Sequence, residues 1–337
     1  MKEEFRRMGS ALLRFELGFM IGSSIWILFG QWAVSVLQRA AAADFLGTAE
    51  MVSGGAAGFL CGVLVQGQEL MSAVTGLCVG LYAAFSPTGS AAFSPMYAFT
   101  AVKKELHQAR GFAAQKCMSW QTAAFVILFL CGTQFLFSKL STLLEALANG
   151  LGLSLLSELE AAGGVNTSLP NLLYIVILGP AAEELMFRGM ALRALKPYGK
   201  CFAILGSALA FAAYHANLPQ ALFAFPLGLL FAWLALEYSF CWALLFHMAA
   251  NFMAQAVHIC MAKPGPVWIT QGIGFLYALA FVLVAVILLI KRRHLFSFKK
   301  QNPTAAGAWT AYLTSPGILI FFLMNIVLAV GGALFVQ

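Results

Sequence analysis

Charge is what this 337-residue chain has least of: Asp, Glu, Lys and Arg make up 10% of it, against 61% apolar residues. With a mean hydropathy of +0.85, a water-soluble globular domain is excluded. A CxxC pair is also missing. The seven cysteines (Cys61, Cys78, Cys117, Cys131, Cys201, Cys241, Cys260) are scattered through mostly apolar segments. That excludes a disulfide framework or a thiolate metal site and reads as small core residues. No internal repeat or low-complexity segment is apparent. The net charge of +7 makes no case for nucleic acid, because Lys and Arg fall in short clusters between apolar runs, as in the cytoplasmic loops of membrane proteins. The N-terminal apolar region is too long for a typical signal peptide and reads as an uncleaved first span.

What is present is a series of apolar runs of about 20 residues, each able to cross a hydrocarbon core about 30 Å thick as a helix. Helices satisfy their own backbone hydrogen bonds in lipid. The expected fold is therefore all-α, a polytopic transmembrane helix bundle of about eight or more spans. The spans fall near residues 19–37, 120–137, 172–195, 200–215, 220–237, 240–258, 267–290 and 317–336. Residues 51–100 are apolar but interrupted, and read as one tilted span with a re-entrant piece or as several short helices. Three regions follow: an N-terminal membrane region 1–116, a central bundle 117–261 and C-terminal spans 262–337. The basic clusters at 2–14, 103–116, 193–200 and 291–300 are expected as loops on the cytoplasmic side. Counting spans from 103 onward alternates these loops with the basic ones inside, and the N-terminus joins them if 51–100 crosses an odd number of times; the C-terminus is then outside.

Against this apolar background the stretch "GPAAEELMFRGMALRAL" stands out, because ionisable groups within spans are costly and usually face a cavity or a partner. Glu184 and Arg188 are at i, i+4, so they can pair along one helical face. Glu183 lies about 100° round the helix and has no such partner within it. One carboxylate is thereby held by arginine and the other is left for something else. Two later helices supply candidates: "FAAYH" ends on His215, and "HMAAN" sets His247 and Asn251 at i, i+4. At about 1.5 Å per residue, Glu184 is roughly 18 Å before the "KPYGK" turn and His215 roughly 24 Å after it. The three sets can therefore meet about midway through the membrane. Together they contain the parts for amide hydrolysis: a carboxylate base, histidines that orient the water or bind a divalent metal, and an asparagine amide for an oxyanion. Two imidazoles and a carboxylate also make an ordinary catalytic zinc set. Phe187 and Phe211 read as packing residues.

"EELMFR", "FAAYH" and "HMAAN" reproduce EExxxR, FxxxH and HxxxN in order and in separate spans, and so the segment from about 172 to 261 resembles the CPBP family (CAAX proteases and bacteriocin-processing enzymes, or Abi family) of intramembrane proteases. The resemblance implies that Glu183 activates water, supported by Glu184 and Arg188. It implies that His215 holds that water or a metal, and that His247 and Asn251 stabilise the oxyanion. A divalent metal, Zn2+ before others, would be held by His215, His247 and Glu183. Members are described both as metalloproteases and as glutamate proteases. The substrate implied is a membrane-associated or lipidated peptide or protein in the bilayer. The setting implied is a bacterial cell membrane, with the active site opening toward the cytoplasm.

Other intramembrane protease motifs are missing. There is no HExxH, no GxGD, and no GxSG context around Gly206-Ser207. The rival reading from another class is a transporter or a bacteriocin-immunity-type binding protein that uses the same Glu, Arg and His cluster for proton relay or ligand binding without hydrolysis.

Overall fold

In the computed structural model the described residues are 1–42, 56–85, 116–150, 152–155, 169–261 and 266–334. Every regular element among them is helical. In chain order these are α1 (Lys2–Ala42), α2 (Ala56–Phe85), α3 (Trp120–Gly150), a composite α4 (169–195), α5 (Lys200–Tyr214), α6 (Leu218–Glu237), α7 (Phe240–Met261), α8 (Val267–Gln301), α9 (Ala308–Leu313) and α10 (Pro316–Leu334). Five stretches among the described residues are long and apolar enough to cross a membrane: Lys2–Phe29, Trp120–Gly150, Leu218–Glu237, Phe240–Val257 and Val267–His294. Met71–Phe85, Lys200–Tyr214 and Pro316–Gly331 are shorter apolar helices. The protein is a helical membrane bundle.

Two expected loops are helix instead. The basic head of α1 is helical from Lys2, because Glu3 pairs with Arg6 at 2.8 Å and Arg7 at 3.0 Å across one turn. The basic run after residue 290 likewise stays in α8, with no helix-breaking residue before Asn302-Pro303. The interrupted stretch 51–100 holds one continuous helix, α2, while 51–55 and 86–100 lie outside the described residues, as does 103–115.

The chain forms two compact units that interleave along the sequence. The smaller comprises Ala11–Lys103 and Asn166–Ala182. In it α1 and α2 approach through glycine. A Cβ on Gly18 would lie 2.9 Å from the Gly80 Cα, and one on Gly22 would lie 2.8 Å from the Thr75 carbonyl. Ser23 and Ser72 each donate a hydroxyl to the other's carbonyl, at 3.2 and 3.1 Å. Small residues and hydroxyls are how membrane helices associate where no hydrophobic driving force separates helix from lipid.

The larger unit comprises Met1–Ser10, Lys104–Val165 and Glu183–Gln337. Its centre is α6, half of whose span is buried, whereas only 11% of the α8 span is. Helix α8 therefore turns most of its apolar surface outward, as a lipid-facing helix does. The same logic corrects the cysteines. Cys78, Cys117 and Cys241 are exposed, and Cys131 and Cys201 are half-buried. An apolar residue on a membrane helix need not be in the core, because lipid is as apolar as the interior.

One end of this unit collects charge. Glu237, at the end of α6, accepts from Lys116 Nζ at 2.6 Å and from Lys200 Nζ at 3.0 Å. Tyr198 donates to Glu4. Gly199 has φ +120° and packs so tightly on 303–304 that a Cβ there would lie 2.5 Å from the Pro303 carbonyl. The four basic clusters of the sequence thus each have a described member or neighbour at this end.

Candidate active site

The polar set is assembled by α4, α5, α6 and α7 within the larger unit. Helix α4 is not uniform. Leu185–Ala191 form a π turn, closed by the Leu192 amide donating to the Phe187 carbonyl. π turns inside α-helices occur disproportionately at functional sites, and this one lies immediately after the two glutamates and contains Arg188. The expected i, i+4 pairing forms within it. Arg188 Nη1 lies 3.2 Å from Glu184 Oε1, and both side chains are fully buried. The guanidinium also donates through Nη2 to the Gly228 carbonyl at 3.2 Å. It lies over two aromatic rings, 4.5 Å from the Phe211 centroid and 5.5 Å from that of Phe231. A cation in this position gains from ring quadrupoles that no water screens.

Glu183 differs from its neighbour. Its side chain is 20% exposed, where that of Glu184 is 0%. His247 lies between them. Its Nδ1 is 2.9 Å from Glu184 Oε1, and its Nε2 is 3.5 Å from Glu183 Oε2. A carboxylate oxygen only accepts, so Nδ1 carries a proton and donates it to Glu184. Contact between Nε2 and Glu183 is then attractive only when one more proton sits between those two atoms. The imidazole is held flat on Phe231, with centroids 4.7 Å apart and planes 21° from parallel, and Phe211 meets it edge-on at 5.7 Å.

His215 ends α5 as its C-cap residue. Its Nδ1 is 2.8 Å from the Phe211 carbonyl, which likewise only accepts, so neutral His215 presents Nε2 as a bare lone pair. It interacts electrostatically with Glu183, Arg188 and His247. The next residue, Ala216, has φ 47°, an uncommon conformation for a residue other than glycine and one that clusters at functional sites. Asn217 then caps α6, its Oδ1 accepting from the Gln220 amide at 2.9 Å. Asn251 lies one turn beyond His247 on α7, half-buried.

Glu183, Glu184, Arg188, His215 and His247 are therefore brought together, with Asn251 on the adjoining turn. Phe211, expected as packing, has a second role. Its ring touches Arg188, His247, His215 (4.9 Å) and Phe187 (5.3 Å), so the charged set is arranged around it. Sequence reasoning missed Phe231 and Gly228. The only trace of Gly228 was a glycine amid "PLGLLF", where small residues mark close helix approach. A Cβ there would lie 3.1 Å from the Ala208 Cα of α5.

The residues expected to hold a metal are His215, His247 and Glu183. Among the described residues no three His, Cys, Asp or Glu side chains are grouped to hold one ion. His247 and His215 each commit Nδ1 to a protein acceptor, the outer bond that a metal-ligating imidazole makes, and this leaves Nε2 as the ring nitrogen that would take an ion.

Residues 165–253 match the family model described as type II CAAX prenyl endopeptidase Rce1-like. This agrees with the CPBP resemblance. The Rce1-like segment is about a quarter of the chain, and it contains all six candidate site residues. Neither the curated proteins nor the solved structures provide a match.

Proposed function

We propose that this integral membrane protein is an endopeptidase that hydrolyses peptide bonds of a membrane-associated or lipidated peptide through a water activated by Glu183. The observation that carries this reading is the asymmetry of the two glutamates. Glu184 is sealed against Arg188 and His247, while Glu183 keeps accessible surface beside the same histidine. A buried, compensated carboxylate positions, and a partly exposed one reacts.

In this reading Glu183 takes a proton from water as the water oxygen attacks the scissile carbonyl carbon. His215 Nε2, with its lone pair free, orients the water from a second side. With Nε2 protonated, His247 donates toward the oxyanion, aided by the Asn251 amide. When the C–N bond breaks, the proton taken by Glu183 passes to the leaving amine. Glu184 and Arg188 fix the imidazole and its Nδ1 proton. These steps use the protein's own residues; a divalent ion, were one bound, would be held by Nε2 of His215 and His247 with Glu183 and would polarise the same water. The N-terminus and the site opening are assigned to the cytoplasmic side.

The test is cleavage of a membrane-tethered peptide library by purified wild type and Glu183→Gln, with and without chelator. The expected result is cleavage by wild type that is lost in the variant, and cleavage that survives chelation assigns activation of the water to Glu183 alone. Cleavage abolished by chelator and restored by zinc would replace this mechanism with a metal-dependent one. A folded wild type that cuts nothing would favour the transporter or immunity-binding reading.

A further inference from the structure

Helix α7 carries a third polar side chain on the face that supplies His247 and Asn251. Gln255 is four residues beyond Asn251 and eight beyond His247. That places it about 40° and 80° round the helix from them and roughly 12 Å along it from His247. It is 8% exposed, and its Oε1 is buried with no partner among the described residues. Burying an amide oxygen without a donor costs free energy, and such groups in folded proteins are few enough that each needs a reason. Among the described residues, Ser141 and Ser315 on other helices or turns and Glu184 in the site itself also have such an oxygen.

The chemistry of the group indicates what would satisfy it. A primary amide offers one carbonyl acceptor and two N–H donors side by side. A peptide unit in an extended chain presents the matching donor and acceptor along one edge. An extended chain advances about 3.3 Å per residue, so 12 Å of helix corresponds to three or four substrate residues. We propose that the Gln255 amide receives one backbone peptide group of the substrate, about three or four residues from the bond being cut. The inference rests on the endopeptidase reading and adds a substrate class to it. In a helix the peptide N–H and C=O are already bonded to each other, so the recognised segment is extended: a tail, a loop or an unwound helix end.

The experiment uses full-length protein and a tethered peptide that the wild type cleaves. Gln255→Leu keeps the volume and removes the amide. We expect KM to rise about tenfold, kcat to stay within about twofold, and Tm to be unchanged or higher, because an unpaired buried dipole has been removed. Gln255→Asn should recover part of the KM loss. Peptides in which single amides three or four residues from the cut are replaced by esters should lose the same factor with wild type, and lose nothing further with Gln255→Leu. Unchanged KM in a cleaving Gln255→Leu protein overturns this inference alone. So does a fall in Tm that tracks the loss of activity, which would make Gln255 a structural residue. A wild type that cleaves no peptide overturns the endopeptidase reading and this inference with it.

Discussion

At the scale of single residues, the two adjacent glutamates have opposite environments, and their substitutions should fail in opposite ways. Glu183→Gln removes the proposed base but disturbs no buried pair. Cleavage is expected to fall by roughly 10²–10⁴-fold, the usual span for a general base, with the melting curve in detergent unmoved. Arg188→Met should do the reverse. It leaves Glu184 buried beside a single imidazole, and removing one partner of a buried pair costs about 3–5 kcal/mol. Thermal or denaturant unfolding in detergent should show a loss of that order. The double variant Glu184→Gln/Arg188→Met should recover much of it, since no uncompensated charge remains. Full additivity of the two single changes would mean that the 3.2 Å contact contributes nothing.

At the scale of elements, close helix contact is what aims these side chains. Gly228 permits α5 and α6 to meet, and its carbonyl also receives Arg188. Gly228→Ala should force a shift of a few tenths of an ångström. We expect about 1–3 kcal/mol of destabilisation and a drop in kcat as Phe211 moves under both histidines. A Gly228→Ala protein with wild-type Tm and kcat would show that the crossing is looser than drawn. The α4–α5 turn is stricter. Gly199→Ala puts a side chain at φ +120° against the Pro303 carbonyl, so unfolding at lower temperature is expected even with the site untouched. These features also mark the limit of sequence reading. The spacing of Glu184 and Arg188, and of His247 and Asn251, was legible because α-helical periodicity is local. The π turn was not, since nothing in "LMFRGMA" distinguishes five-residue from four-residue hydrogen bonding. Phe231 stacks on His247 from another helix, and aromatic residues are too common in this chain for one to stand out. The helical head of α1 was obscured because basic residues beside an apolar run look alike in loop and helix.

At the scale of the molecule, described members or neighbours of the basic clusters meet at one end of the larger unit, Glu4 with Tyr198, Lys116 and Lys200 with Glu237, and Gly199 with Pro303, and a shared end is the geometric half of the positive-inside argument. Chain order alone placed 103–116, 193–200 and 291–300 on one side by counting spans. The Lys116–Glu237–Lys200 contacts and the packing of Gly199 on Pro303 bring Lys116, Lys200 and the residues that follow 300 together by touch. The remaining half, which compartment this end faces, is open to one direct measurement. Cys117 is exposed and adjoins Lys116, before α3 begins. Glu237 holds the Lys116 ammonium above its ordinary value by hydrogen bond and charge. A group with a raised value keeps its contribution below the ordinary lysine range and loses it only as pH rises through the raised one. Thiol labelling near pH 8 therefore reads the intact clamp. With the other six cysteines replaced by alanine, a membrane-impermeant maleimide should modify Cys117 in inside-out vesicles and not in intact bacterial cells expressing the protein. The opposite pattern would turn the bundle over and place the Glu183 site opening on the external side. Labelling from both sides would mean that the protein inserts in both orientations, and the basic end would then have no fixed compartment.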